Sequence, residues 1–438
     1  MIPNLIIFLF IVLSYYFLLS VKKIDRMSRL ILTSFSLFWF ISIFLSIIQV
    51  GGLFEVSGYT YFILYVNIFF FSLGFFSIKL TNSQCTFLTK DYVENRIEHI
   101  IHNKLFIFLV IFVCIYVYSL LIVFFEALAS SMSMSDIRTD FFSGELYGPL
   151  FAQIDAFVLS PLVILSTPVF SFLIFYRRNF VCLLLFFFLF GYESLSGGRF
   201  GYVRIILAVV FMLIIVLRSY KIEPVRFKRF FMLFFISLSL LLAVITVSRT
   251  SEERKVDADI EESINSTLGH LGVYTAGPVV ALDHAIKFNY VDRIGGFQYG
   301  ALTLSGVTSV VNLFTSRLGF VFDLPLEKKL MKIKQLEQIS VSNSFTSFNA
   351  LYTAILYFYC DLHLLGVILF PFIFGCITRY VIKKFYIYQS FCLLALISWL
   401  YYVIIFSVVD FWLVNPYHLL VLFVLYFVGT KKYLFNKK

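Results

Sequence analysis

The sequence predicts an all-α, polytopic integral membrane protein with about eleven transmembrane helices and one long, largely helical external loop. Three observations carry this. Of 438 residues, 61% are hydrophobic and only 14% charged, where soluble chains average about 45–50% and about 25%. Apolar runs of about 20 residues recur, the length a helix needs to cross the hydrocarbon. The charges between those runs alternate in density, as the topology of a multispan protein requires.

The first apolar run, Ile2–Leu19, has no basic segment before it, and its positive charges follow it. It reads as a retained span rather than a cleaved signal. Further spans are expected near residues 30–50, 60–78, 105–125, 151–176, 180–195, 201–217, 230–247, 350–381, 388–408 and 411–430. This divides the chain into an N-terminal bundle of about eight spans (1–247), a long loop (248–348) and a C-terminal bundle of about three spans (349–438).

Most of the 35 basic residues lie in one set of loops. That set includes Lys22 to Arg29, Lys79 to Lys104, Arg218 to Arg229, Arg379 to Lys384, and Lys431 to Lys438. The alternate short segments hold only Arg138, Arg199 and Arg204. The positive-inside rule then places the N-terminus outside and the C-terminus in the cytoplasm. The net charge of +10 is accounted for by topology, so no nucleic-acid partner is expected. The six cysteines are scattered, without metal spacing or a disulfide framework.

Two spans are irregular. Phe180–Leu195 is short for a crossing and contains Glu193. Asn349–Tyr380 is too long for one simple span and carries Asp361 and His363. Its first part is expected to lie in a crevice, with the true crossing beginning near Leu364. In the long loop, Ile260, Ile264, Leu268 and Leu271 recur at helical spacing. Pro278 is expected to open a second helix, with Val279, Leu282 and Ile286 on one face. Gly295-Gly296 marks a turn. Leu326–Leu336 is expected along the lipid surface.

The stretch from Ser196 through Gly197, Gly198 and Arg199 to Arg204 joins two apolar runs. A cation in the hydrocarbon costs about 2.5–3.5 kcal/mol even on the lenient insertion scale. An anion would repay that cost. Two glycines let the backbone approach closely where a helix begins, and a helix N-terminus flanked by arginine suits phosphate. The alternative is an interfacial turn whose arginines snorkel to lipid headgroups. Asp361 is also a candidate, because an acid in an apolar span is costly. It is expected to pair with an arginine of the external site. Arg138, Arg249, His270 and Tyr274 complete the external polar inventory, with His270 open to a packing role as well as a basic one. Asp257-Ala258-Asp259 reads as a solvated acidic run rather than a metal site.

Taken together, the spans, the external loop and the Ser-Gly-Gly-Arg turn resemble the O-antigen, or oligosaccharide repeat unit, polymerases of the Wzy type. The resemblance is sharpest in Asn349-Ala-Leu-Tyr352-Thr353, then Tyr359-Cys-Asp361 and Gly366. Tyr274-Thr-Ala-Gly277-Pro278 with Asp283, and Ser-Asp-Ile-Arg138, support it. The resemblance implies a glycosyltransferase of the bacterial inner membrane whose long loop is periplasmic. Its donor would be a glycan on undecaprenyl pyrophosphate, transferred to a new lipid-linked repeat unit. Arg199, Asp361, His270 and Tyr274 would serve the chemistry. Gly197, Gly198, Arg204, Arg138, Arg249, Asn349, Tyr352 and Thr353 would line the substrate. No metal or other cofactor is implied. Membrane lipid, a chain-length regulator and a flippase are the implied partners. The alternatives are an O-antigen ligase, or a lipid-linked oligosaccharide flippase or other transporter.

Overall fold

The computed structural model describes residues 2–21, 24–80, 104–130, 200–219, 260–315, 339–342 and 352–430, with scattered residues between 132 and 192. The described residues are helical, apart from turns and an isolated antiparallel bridge between Leu53 and Ser342. In chain order the longer helices are α1 (Ile2–Val21), α2 (Arg26–Ile47), α3 (Gly58–Ser77), α4 (Lys104–Ala129) and α5 (Phe200–Ser219). They continue with α6 (Ile260–Lys287), α7 (Ser305–Thr315), α8 (Ala354–Tyr388), α9 (Phe391–Phe406) and α10 (Pro416–Thr430). Among the described residues, four segments are long and apolar enough to cross a membrane: Pro3–Ser20, Arg26–Ile47, Gly58–Ser77 and Ala354–Tyr388.

By contact, the chain forms two compact units. One joins Met1–Thr86 to Ile260–Lys438, and the other is Phe87–Asp259. The first three helices thus share a core with the long loop and the C-terminal helices, a grouping that cuts across the division by topology.

In the first unit, α3 and the long part of α8 run parallel and touch closely. A Cβ on Gly74 would stand 2.0 Å from the Phe372 carbonyl oxygen, and one on Gly375 would stand 2.2 Å from that of Phe71. In lipid the hydrophobic effect gives helices no reason to associate, so small residues that admit backbone contact take its place. The Cys376 thiol donates to the Gly74 carbonyl at 3.3 Å.

A buried ion pair closes one end of this unit. Arg379 Nη1 lies 2.6 Å from Asp25 Oδ1, with side-chain exposures of 9% and 4%. Arg379 also donates to the carbonyl of Ile78 at 3.4 Å and to the Ser28 hydroxyl, and lies over the Phe75 ring. The Tyr386 hydroxyl donates to Asp25 Oδ2 at 3.0 Å. Asp25 caps α2 in turn, accepting from the Ser28 amide at 3.1 Å. The start of α2 and the ends of α3 and α8 therefore meet. These are loops that the charge alternation assigns to a common side.

The long loop packs on the opposite end of α2 and α3. Asp283 of α6 accepts from the Ser57 and Thr60 hydroxyls at 2.5 and 2.7 Å and from the Ser57 amide at 3.1 Å. The Ser42 hydroxyl donates to the Thr275 carbonyl at 2.7 Å, and the Phe54 amide to that of Val341 at 2.9 Å.

Pro278 does not open a second helix: α6 runs unbroken through it. Proline inside a helix costs about 3 kcal/mol. The apolar face of Val273, Ala276, Val279, Val280 and Leu282 is buried and outweighs that cost. The turn at Gly295 and Gly296 forms as expected, with φ of 92° and 95°. Leu326–Leu336 lies outside the described residues, as does most of Phe180–Leu195.

Two measurements check this packing. Gly375→Leu should overpack the α3–α8 contact and cost about 1–3 kcal/mol, seen as a lower melting temperature in detergent. Arg379→Ala strands a buried Asp25 carboxylate and should cost about 3–5 kcal/mol. The double variant Asp25→Asn/Arg379→Met, which removes both charges, should recover most of that loss.

Candidate functional site

Helix α8 is broken. Leu362 has φ −143°, ψ 23°, and His363 has φ 54°, ψ −138°. In a straight helix Phe358 and Phe370 would lie about 18 Å apart along the axis, yet their ring centroids are 5.6 Å apart. The chain folds back on itself, and Gly366 makes this possible: a Cβ there would stand 1.9 Å from the Phe358 carbonyl oxygen. Residues 354–361 and 364–388 are thus two helices joined by an elbow, and the break falls just before Leu364, where the sequence predicts that the crossing begins.

The short helix starts deep in the unit. The Ala354 amide donates to the Ser407 carbonyl at 2.9 Å, and the Ser407 hydroxyl accepts from Trp39 Nε1 at 3.2 Å. Trp39 lies past the midpoint of α2. Every residue from Tyr352 to Asp361 is buried. Interrupted backbone at such depth persists only where protein covers it and satisfies its polar groups.

The long loop supplies those partners. The amides of Gln298 and Tyr299 donate to the carbonyls of Cys360 and Asp361 at 3.2 and 3.0 Å. In return, the Asp361 carboxylate accepts from the amides of Leu302 and Thr303 at 3.0 and 2.7 Å. The terminal carbonyls of the short helix are thereby paired, and Asp361 caps the turn leading into α7. Tyr299 and Gly300 adopt φ of 53° and 93° to place these amides.

Just beyond the clasp, the Tyr359 hydroxyl and His363 Nε2 are 2.5 Å apart. Tyr59 of α3 lies beside Tyr359, and the Phe297 ring lies 6.0 Å from the imidazole. Tyr59, Phe297 and Tyr299 are 41%, 43% and 81% exposed. A non-glycine residue at the φ and ψ of His363 is strained by about 1–3 kcal/mol, and such strain collects where a surrounding structure holds a side chain for use. The elbow therefore presents an imidazole, two phenols and open aromatic faces at the end of the unit where the loop packs.

The residues singled out from the sequence fall differently. Arg138, Gly197, Gly198, Arg199, Arg249 and Asn349 lie outside the described residues. Helix α5 begins at Phe200, the residue after Arg199, and Arg204, its fifth residue, is buried. His270 is in α6, one turn before Tyr274, which is exposed. Tyr352 and Thr353 are fully buried beside the foot of the short helix, Tyr352 donating to the Tyr290 hydroxyl at 3.4 Å. Substrate cannot touch them without movement.

Among the described residues, Asp361 has no arginine partner. Backbone amides fill both of its oxygens, and the residue is 0% exposed. The physical reason is that amides at a helix start satisfy a buried carboxylate without burying a second charge. The residue that the elbow presents is instead His363. A histidine with a tyrosine four residues before it, inside an apolar run, is the signal that could have nominated it.

Among the described residues, no three His, Cys, Asp or Glu side chains converge as a metal would require. No family model, curated protein or solved structure matches the chain.

Where α6 meets the end of α2 and α3, two groups titrate away from their ordinary values. Burial alone would raise the Asp283 carboxyl, but bonds from Lys287, Ser57 and Thr60 outweigh it and hold it low. Burial and then the Arg293 charge lower His284. A carboxyl held low stabilises the fold above its unfolded pKa of about 3.9 and loses that contribution as pH falls through its lowered folded value. A histidine held neutral costs nothing above about pH 6.5 and destabilises progressively below it, because the unfolded chain then binds the proton more tightly. Melting temperature should therefore fall as pH drops from 7 towards 4. His284→Phe should flatten the upper part of that fall, and Asp283→Asn should lower stability throughout the neutral range.

Asp361→Asn turns a donor towards one of two amides. It should cost about 1.5–3 kcal/mol, the worth of a hydrogen bond to a charged group. A melting curve matching that of the unaltered protein would show that the clasp does not hold the elbow.

Proposed function

We propose that the chain is a polymerase of oligosaccharide repeat units linked to undecaprenyl pyrophosphate. It moves the growing glycan from its lipid carrier to the terminal sugar of a new lipid-linked unit. The observation that carries this reading is the broken helix α8, whose elbow sets a histidine, tyrosines and aromatic faces at the end of apolar helices beneath segments of the long loop. A lipid-linked sugar needs such a place: polar enough for hydroxyl chemistry, yet reachable by a substrate whose tail stays in the bilayer. In this reading the membrane is the bacterial inner membrane. The N-terminus and long loop are periplasmic and the C-terminus is cytoplasmic.

The donor is already activated. As the bond to pyrophosphate breaks, negative charge grows on the leaving oxygen, and a fixed cation stabilises that state more than the ground state. Arg199, with Gly197 and Gly198, is assigned to this pyrophosphate. Lysine keeps the charge but loses the two-pronged geometry. A chain-length regulator and a flippase would act with such an enzyme.

A deletion strain tests the reading through its lipopolysaccharide banding. Loss of long chains with one repeat unit retained is expected. Lipid A-core without any repeat would instead indicate a ligase or a flippase. At equal protein level, Arg199→Ala should lower polymer formation by about 10²–10³, the usual worth of one electrostatic stabiliser, and Arg199→Lys should be impaired but not inactive.

A further inference from the structure

We propose that His363 is the base that takes the proton from the acceptor sugar's hydroxyl, with Tyr359 and Tyr59 as positioning residues and Phe297 and Tyr299 as the faces against which that sugar stacks. This rests on the polymerase reading above and adds to it the acceptor side of the reaction.

Three independent features converge on His363. Its backbone, at φ 54° and ψ −138°, is one that only glycine adopts freely, so a side chain is kept there at a cost. Its Nε2 is fixed by Tyr359 at 2.5 Å, and Tyr359 is itself reached by Tyr59. The clasp that holds the elbow also sets Phe297 and Tyr299 beside it, both exposed, with Tyr299 at φ 53°. A belt of aromatics that merely anchors a protein at the lipid surface needs no strained backbone and no histidine.

The tyrosine contact decides which ring nitrogen works. In the tautomer assigned here, Nε2–H donates to the Tyr359 oxygen and the Nδ1 lone pair is left to accept a proton. The acceptor O–H then breaks, its oxygen bonds to the donor's anomeric carbon, and the bond from that carbon to pyrophosphate breaks with the electron pair leaving on the phosphate. The proton resides on Nδ1, and the imidazolium remains hydrogen-bonded to Tyr359 until solvent removes it. Among the described residues, the titratable groups facing the imidazole are Tyr359 from the short helix and Tyr59 from α3. Asp361, two residues away, is occupied by the amides of Leu302 and Thr303.

The test uses the full-length protein in lipid nanodiscs, supplied with undecaprenyl-pyrophosphate-linked repeat units, with polymer formation followed by gel. His363→Gly relieves the strained backbone and should be at least as stable as the unaltered protein. It should lose polymerisation by about 10²–10⁴, the usual contribution of a general base. Added imidazole should restore part of the rate, with a pH dependence that follows the free imidazole. Tyr359→Phe should retain activity but move the acidic limb of the pH profile.

A His363→Gly protein that polymerises at the unaltered rate overturns the proposal and leaves the polymerase reading intact. So does a stable His363→Gly protein that is inactive and that imidazole does not rescue. If the unaltered protein makes no polymer from these substrates, the polymerase reading fails and the proposal fails with it.

Discussion

The contact between the Asp361 carboxylate and the amides of Leu302 and Thr303 is the interaction on which the rest of the site depends. A helix that stops inside a bundle leaves carbonyls at its end, and each buried polar group left unpaired costs free energy that lipid cannot return. Residues 298–303 solve this from both sides. Two amides meet the last carbonyls of the short helix, and two more meet the carboxylate that follows them. Without that exchange the chain has no reason to turn at Leu362 and His363, and α8 would continue as one long rod.

The opposite end of the same unit is held by different means. There a single buried guanidinium ties Asp25, Ser28 and the end of α3 to α8. A buried ion pair is weak evidence for stability, because desolvation offsets much of its attraction. Its geometric effect is clearer: with Gly74 and Gly375 in backbone contact, α3 and α8 cannot slide past each other without breaking the bond from Arg379 to the Ile78 carbonyl. One end of α8 is thus locked to the first helices of the chain, and the other end is locked to the loop.

Much of the fold was legible because membrane helices announce themselves by length and composition. The spans at α1, α2, α3 and α8 follow from apolar runs of the right length. The irregularity of 349–380 was visible as excess length with Asp361 and His363 inside it. What could not be read were the partners. Burial makes an acid in an apolar run costly whether a cation or a pair of amides relieves it, so the sequence alone could not separate an arginine partner for Asp361 from Leu302 and Thr303, about sixty positions away. Pro278 misled for a similar reason: a local rule that ends helices was overruled by packing of α6 on the end of α2 and α3. His363 was visible as a polar residue in an apolar run with Tyr359 one turn before it, but the backbone angle that sets it apart is displayed by no residue pattern.

The clasp has a consequence for how loop and elbow behave together. Phe297 and Tyr299 flank Gln298, and the amides of Gln298 and Tyr299 are the ones that bind the end of the short helix. The exposed rings are therefore only three or four covalent bonds from the amide nitrogens that bind the end of the short helix. A sugar that displaced those rings would pull on the carbonyls of Cys360 and Asp361, and a change at the elbow would move the rings in return. Coupling of this kind needs no long pathway, since the same segment, residues 297–303, carries both the exposed rings proposed as the binding face and the support. It also explains why a carboxylate, rather than a neutral acceptor, stands at position 361: a charge-assisted bond is about twice as strong as a neutral one, and the segment it anchors must keep its place while one side of it is in use.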